Sequence, residues 1–374
     1  MTPRVAIGCS GLGHIRRGNE TWAATVADAL HHAGTHVTLL GGGPDVRTVC
    51  PFVRLKNLPR ETPITRAWLS WHHRYLLEQR TFARSLIRWL REHPHDIVHV
   101  ADPALAWILQ RSTTTHGARV IYKDGLLLGP PWCSKFDHVQ VLAPHYLEQA
   151  QAAGLNTRGW HVIPHLVDPT RFQPTANPAD ARAALFPNHF PADAFVVLAV
   201  GDFSPESNKR LDWIVSEIAR LPAAANIHLL LAGQASRADL TAFEARARSA
   251  LGDRVTFAAN FPADEMPPLY SCADAFAHAA LREPFGIVFL EALASGLPVV
   301  AHQFPVTRWI IGDGGTTVDA ESPGTIAAIL AEWRRAPAAR HTLGQRARAR
   351  ATTTFAPEKI VPLYQSLYQT VLNS

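Results

Sequence analysis

Apolar residues along the chain follow two periods, and the two alternate. Short apolar runs of the kind that form strands buried on both faces occur at Arg4–Gly8, Thr35–Leu40, Asp96–Ala101, Arg119–Tyr122 and Val139–Ala143. A second series runs through Phe195–Val200, Ile227–Gly233, Val255–Ala258, Ala273–His278 and Pro298–Ala301. Between them lie stretches with helical spacing. Thr21–Ala33 sets Trp22, Val26, Ala29 and Leu30 on one side, with Gly34 as its stop. Tyr146–Ala153 and a helix ending near Arg220 are further examples. Glu358–Leu372 repeats the pattern with Ile360, Leu363, Leu367 and Val371. Strands alternating with helices predict parallel α/β sheets. A Pro-rich run that ends at Pro191 separates the two series and reads as a linker. At 374 residues the chain is too long for one ordinary domain and right for two.

Composition narrows the class. The chain is 47% hydrophobic and 18% charged, enough apolar residues for sizeable cores. No stretch approaches eighteen uncharged apolar residues, so no membrane span is expected. The first residues enter a strand without a signal-peptide apolar region. The four cysteines are scattered with no Cys-x-x-Cys, which fits a reducing cytoplasm and argues against structural zinc. The histidines show no metal-ligand spacing either. The net charge is +5, but only five residues are lysine; the surplus is arginine spread through surface helices, and no nucleic-acid motif accompanies it. Residues 60–92 hold Trp68, Trp71, Tyr75, Trp89 and seven arginines against three glutamates, with Leu76, Leu77, Leu86, Ile87 and Leu90 at helical spacing. A basic, Trp-bearing helix lies on an anionic membrane in some proteins. In more of them its aromatic stripe is core, and that reading is favoured here. The location expected is cytoplasmic, with a peripheral place on the inner face of the membrane as the alternative.

The richest chemistry lies at Glu283-Pro-Phe-Gly-Ile-Val-Phe-Leu-Glu291. Pro284 disfavours helix at Glu283 and can itself open one, so Glu283 reads as a loop residue ahead of a helix start. Phe285, Gly286, Ile287 and Val288 would then offer the unpaired N–H groups of the first turn, a ready phosphate site. Glu291 would lie about one turn further on. Two carboxylates flanking a phosphate-ready helix suit a ligand that is anionic in one part and rich in hydroxyls in another, as a nucleotide sugar is. The plain alternative is a surface helix with a charged entry, because Glu-x7-Glu recurs by chance. Elsewhere, Asp102 stands at the C-terminal end of a strand, where ligands of α/β sheets gather, while His99 inside that strand reads as a core histidine.

Glu283-x7-Glu291 followed by Ala-Leu-Ala-Ser-Gly-Leu-Pro-Val-Val resembles the signature of the retaining glycosyltransferases of family 4. Other segments are similar to the same family: the glycine-rich loop Cys9–Glu20 with Gly18-Asn19-Glu20, the passage His161–Asp168 with Arg171-Phe-Gln-Pro174, and Lys209. The resemblance implies the GT-B fold, two Rossmann-like domains facing a central cleft, with a last helix crossing back to the N-terminal domain. Residues 1–168 with 357–374 would form the acceptor domain and residues 169–356 the nucleotide-sugar domain. It implies transfer of a hexosyl group from a nucleotide diphosphate sugar to an acceptor hydroxyl, with retention, the leaving phosphate helping to deprotonate the acceptor.

Glu283 would then stabilise the anomeric carbon and bind sugar hydroxyls, Lys209 would hold the diphosphate with Arg210 sharing that task, and Glu291 would accept the ribose hydroxyls. Gly18, Asp102, Lys123 and Asp124 fall on the acceptor or sugar side. The sequence departs from the family at two places. Asp202 follows Gly201 where an arginine is common, with Arg282 as a second substitute beside Arg210. Tyr122-Lys-Asp124 stands near the point where a histidine is common. No Asp-x-Asp occurs to hold a divalent metal, and no cofactor is expected beyond the donor as substrate. The partners implied are that donor and a saccharide, lipid or small-molecule acceptor. A nucleotide-sugar epimerase or hydrolase on the same fold, or a non-catalytic binding module, are the rival readings.

Overall fold

A computed structural model describes residues 3–15, 17–44, 46–126, 128–262 and 265–374. The chain divides into two compact units, Met1–Leu166 with Pro357–Ser374, and Val167–Ala356.

The first unit is built on seven parallel strands: β1 (Arg4–Cys9), β2 (His36–Gly41), β3 (Phe52–Arg54), β4 (Ile97–Val100), β5 (Arg119–Lys123), β6 (His138–Val141) and β7 (Trp160–Val162), in the order β3-β2-β1-β4-β5-β6-β7. The second has six: β8 (Phe195–Val200), β9 (Ile227–Gly233), β10 (Val255–Ala259), β11 (Ala275–His278), β12 (Val299–His302) and β13 (Gly315–Val318), in the order β10-β9-β8-β11-β12-β13. Central strands such as β4 and β9 are buried almost throughout, because helices cover both faces of each sheet. The apolar runs of the sequence locate them to within a residue or two. Strands β3, β7 and β13 carry no such run. They are short, stand at sheet edges and are only partly buried.

In each sheet the chain order reverses between two neighbours, β1 and β4 in the first unit, β8 and β11 in the second. The loops leaving their C-terminal ends part to opposite sides and open a crevice, the usual ligand position in such sheets.

The last helix, Pro357–Asn373, belongs to the first unit. Ile360, Val361, Tyr364, Leu367, Tyr368 and Val371 enter one core with Val5, Ile7, Trp22 and Val26. Leu363, expected on that face, is 42% exposed; the helix is rotated so that its tyrosines point inward. The Tyr364 hydroxyl accepts from Trp22 Nε1 at 2.8 Å and from Gln140 Nε2 at 2.9 Å. His99 is fully buried, 3.2 Å through Nδ1 from the Tyr368 hydroxyl, and burial pushes its pKa down to about 3. It is a neutral core histidine. Tyr364→Phe removes an acceptor shared by two buried donors. It should lower the unfolding free energy by about 2 kcal/mol or more, read from urea denaturation.

Residues 60–92 form two helices, Pro63–Trp68 and Trp71–Glu92, rather than one. Thr62 and Ser70 each cap a new N-terminus, accepting from Thr65 N and His73 N. The longer helix buries Phe82, Leu86 and Leu90 in the core. Trp68 and Trp71, at the junction, are 85% and 52% exposed. Within the Pro-rich run, Pro178–Leu185 is helical and the Arg182 guanidinium is buried. It donates to the carbonyls of Cys272 at 2.8 Å and Ala194 at 2.9 Å and pairs with Asp274. The run is thus an integral part of the second unit and not a free linker. Among the described residues no helix is long and apolar enough to cross a membrane.

Candidate functional site

In the second unit the loops after β8 and β11 bring Lys209 and Glu283 into direct contact. Lys209 Nζ donates to Glu283 Oε2. The loop after β8 passes close over the strand end: a Cβ on Gly201 would lie 2.7 Å from Lys209 Cβ, so only glycine lets the lysine sit there. Glu283 is 4% exposed, while Lys209 remains partly open. His278, the last residue of β11, accepts from Ala280 N through Nδ1 at 3.3 Å, which leaves the proton on Nε2. That atom lies 3.6 Å from Glu283 Oε2. Burial, helped by the Lys209 cation, pushes the His278 pKa well below its usual value, so the ring is neutral. A buried carboxylate therefore faces one cation and one neutral imidazole.

The helix that follows starts later than the sequence suggests. It spans Ile287–Ala294, with Gly286 at its N-cap at φ 80°. A Cβ on Gly286 would lie 2.7 Å from the Phe289 ring and 2.9 Å from Glu283 Cγ. This left-handed residue turns the chain before the helix can begin, so Pro284 does not open it. Phe285 and Gly286 are not in the first turn. Phe285 is buried beside Trp309 and Phe355, at 6.3 and 6.2 Å between ring centroids. Phe289 N bonds Gly286 O at 3.0 Å, leaving Ile287 and Val288 as the N–H groups that head the helix. Further along, Glu291 Oε2 accepts from the Tyr270 hydroxyl at 2.6 Å, and burial raises its pKa.

Arg210 does not share a site with Lys209. It takes a left-handed conformation ahead of helix Leu211–Ala219, pairs with Asp212 at 2.8 Å and lies 4.0 Å over the Trp213 ring. Asp202 is exposed and accepts from Ser204 N at 2.7 Å, a turn cap. Arg282 is also exposed. Sequence reasoning missed His278 and Tyr270. The position of His278 at a strand end was a usable signal. Tyr270 sits in the short helix Met266–Ser271, whose sequence carries none.

In the first unit a cavity of about 650 Å³ opens at the ends of β1 and β4. Gly18 and Asp102 line it. Gly18 begins helix Gly18–His32, three residues before the expected start. Asp102 caps helix Pro103–Gln110, accepting from Ala104 N at 3.0 Å and Leu105 N at 3.2 Å, and also from the Tyr75 hydroxyl at 2.8 Å. Burial pushes its carboxyl up to about 6. Lys123 and Asp124 are not lining residues. Lys123 is buried, donates to Asn19 Oδ1 at 3.0 Å and lies 5.0 Å over the Trp22 ring, and burial lowers its pKa to about 8. Asp124 accepts from the Tyr122 hydroxyl at 3.2 Å and from Leu126 N at 3.3 Å. The structure engages both internally. No group of three or more His, Cys, Asp or Glu side chains that could hold a metal occurs among the described residues.

Residues 194–334 match the family described as glycosyl transferases group 1, a span that encloses Lys209, Glu283 and Glu291. The matched span lies within the second unit. Mannosylfructose-phosphate synthase of Agrobacterium fabrum is 32% identical to this chain over 155 residues, which is 39% of this chain and 33% of that protein. D-inositol 3-phosphate glycosyltransferase of Mycolicibacterium smegmatis is 33% identical over 164 residues, 42% of this chain and 36% of that protein. The chain thus spans about a third of the length of these two curated relatives. Among solved structures, sucrose-phosphate synthase from Thermosynechococcus elongatus superposes with a TM-score of 0.83 at 23% identity, covering 99% of each chain. Anabaena HepE, solved with UDP-glucose, superposes at 0.76 and 16% identity, covering 100% of each. These likenesses cover the chain beyond the matched span and show its fold: GT-B, with two Rossmann-like domains.

Proposed function

We propose that this chain is a hexosyltransferase that moves a sugar from a nucleotide diphosphate donor to an acceptor hydroxyl, with retention. The observation that carries the reading is the Lys209–Glu283 pair at the crevice between β8 and β11, within the span that matches glycosyl transferases group 1. In the transfer, the bond between the anomeric carbon and the phosphate oxygen breaks and its electron pair stays on the diphosphate. The acceptor oxygen bonds the anomeric carbon, and its proton leaves with the diphosphate. Positive charge develops on the sugar and negative charge on the phosphate. A carboxylate beside an ammonium matches that separation of charge. Lys209 neutralises the phosphate, Glu283 supports the anomeric carbon, and the Ile287 and Val288 N–H groups offer further donors to the diphosphate. Glu291, oriented by Tyr270, takes the ribose hydroxyls. The first unit holds the acceptor. The UDP-glucose in HepE supports a donor of this class, and the name of the inositol phosphate relative supports glycosyl transfer.

Incubation with labelled nucleotide sugars and an acceptor panel tests the reading. A glycosylated product supports it; an epimerised donor, free sugar alone or binding alone each overturns it in favour of a rival. Thermal shift with nucleoside diphosphates reads donor binding separately.

With Lys209 as a fixed cation and no Asp-x-Asp in the chain, activity should persist in excess chelator. Complete loss that magnesium or manganese restores would refute this. The exposed Trp68 and Trp71 beside the arginines of residues 60–92 support peripheral contact with an anionic membrane, and the four free, buried cysteines fit its cytoplasmic face. Pelleting with anionic vesicles should then be strong at low salt and fall as salt screens the charges. Absence of pelleting at low salt removes the membrane reading.

A further inference from the structure

His278 carries a buried hydrogen-bond donor with nothing to bond. Its ring is fixed on two sides: it stacks on Phe276 and meets the Phe289 ring near its edge, at 6.4 and 4.9 Å between centroids. Nδ1 is spent on Ala280 N, so the proton stands on Nε2, and that atom has no hydrogen-bond partner among the described residues. At 3.6 Å from Glu283 Oε2 it is too far for a bond. A buried donor left unmade is costly, and such a group in a native fold needs a reason.

The reason lies in Lys209. Its ammonium holds the same oxygen, Glu283 Oε2, that Nε2 faces. While it does so the two charges cancel, and neither is free for its part in sugar transfer. The pair is asymmetric. The Lys209 side chain is 29% exposed and flexible, whereas that of Glu283 is 5% exposed and packed by the turn at Gly286. An arriving diphosphate therefore moves the lysine and leaves the carboxylate where it is. A buried carboxylate without its cation is unfavourable unless another donor takes over. The Nε2–H of His278 is the donor in place, and a small turn of the carboxylate closes the gap.

We propose that His278 is a positioning residue for Glu283: when the donor's diphosphate draws Lys209 away, the His278 Nε2–H bonds Oε2 and keeps the carboxylate aimed at the anomeric carbon. The orphaned proton is a bond reserved for the donor-bound state. The inference rests on the transfer reading for the tasks of Lys209 and Glu283, and on the geometry for the hand-over between Lys209 and His278.

The test follows the Nε2 proton of His278 by NMR in the full chain with isotope-labelled histidines, assigned through its contacts with the Phe289 ring. UDP, ADP and GDP are added in turn, and binding is read separately as a thermal shift. At saturation with the one that binds, the proton should move downfield, the direction of a hydrogen bond forming. Kinetics with the donor and acceptor that yield product give a second reading. His278→Phe keeps a ring in the core and removes the donor. It should lower kcat about tenfold or more, the scale of one hydrogen bond to a charged group, with donor KM within about twofold. His278→Gln, whose amide N–H reaches the place of Nε2, should recover most of that loss. A residue that only filled the core would be replaced better by phenylalanine than by glutamine. A proton that stays put at saturation, or full kcat in a folded His278→Phe, overturns the proposal. If His278→Phe does not fold, the NMR reading on the unmodified chain decides alone. No thermal shift with any of the diphosphates and no product in the unmodified chain is the failure of the transfer reading instead, and the proposal falls with it.

Discussion

Replacing Glu283 by glutamine should lower kcat by about 10² or more, with a modest change in KM for the donor. Glutamine keeps the shape of the side chain and removes its charge. The charge matters most when the anomeric carbon becomes positive, so the loss falls on the transition state more than on the bound donor. The surroundings sharpen the argument. Glu283 is buried, and its neighbours are the Lys209 ammonium and the neutral His278 ring. With the carboxylate gone, nothing described within that group supplies negative charge to the sugar, while the lysine still attracts the diphosphate. Donor binding therefore survives where turnover does not. Steady-state kinetics with a fixed acceptor decide it; an unchanged kcat removes Glu283 from the chemistry.

Glu291→Ala should do the opposite. The ribose does not react, so its contact is similar in ground and transition states. Losing hydrogen bonds to a charged acceptor costs roughly 1.5–3 kcal/mol, about a tenfold to hundredfold rise in donor KM, with kcat nearly steady. The structure adds a control. Glu291 Oε2 is bonded to Tyr270, so the alanine variant also strands a buried hydroxyl. Tyr270→Phe removes that hydroxyl and leaves the carboxylate. It should raise KM much less than Glu291→Ala does, provided the ribose contact is the main term. Equal effects would make Glu291 a structural partner of Tyr270, and loss of kcat in Glu291→Ala would reverse the two roles.

Lys209, Glu283 and Glu291 were singled out in the sequence, His278 and Tyr270 were not, and the relation among them was not legible. Lys209 and Glu283 lie 74 positions apart, and only the reversal of strand order between β8 and β11 brings their loops together. Gly286 could be read as room for a ligand, yet its left-handed turn, which delays the helix by two residues, depends on how Phe289 and Glu283 pack around it. Arg210 looked like a second phosphate group; its partners Asp212 and Trp213 are close in sequence, but the left-handed turn at Arg210 ahead of the helix was not legible. Lys123 and Asp124 were placed correctly at a strand end. Their burial follows from contacts with Asn19 and Tyr122, and the first of these is a long-range contact. Central strands were found because burial on both faces leaves an apolar run; the edge strands β3, β7 and β13 leave none, whereas the largely buried edge strand β10 does.

The helix Pro357–Asn373 gives the first unit a property that concerns synthesis rather than chemistry. Trp22, Gln140 and His99 find their partners on Tyr364 and Tyr368. A ribosome delivers those tyrosines only after the whole second unit has emerged. The N-terminal half therefore leaves the exit tunnel with an unfinished interior, its indole and amide donors waiting on the last turns of the chain. The second unit, contiguous from Val167 to Ala356, has no such wait. The order of translation and the order of completion are opposite in this protein.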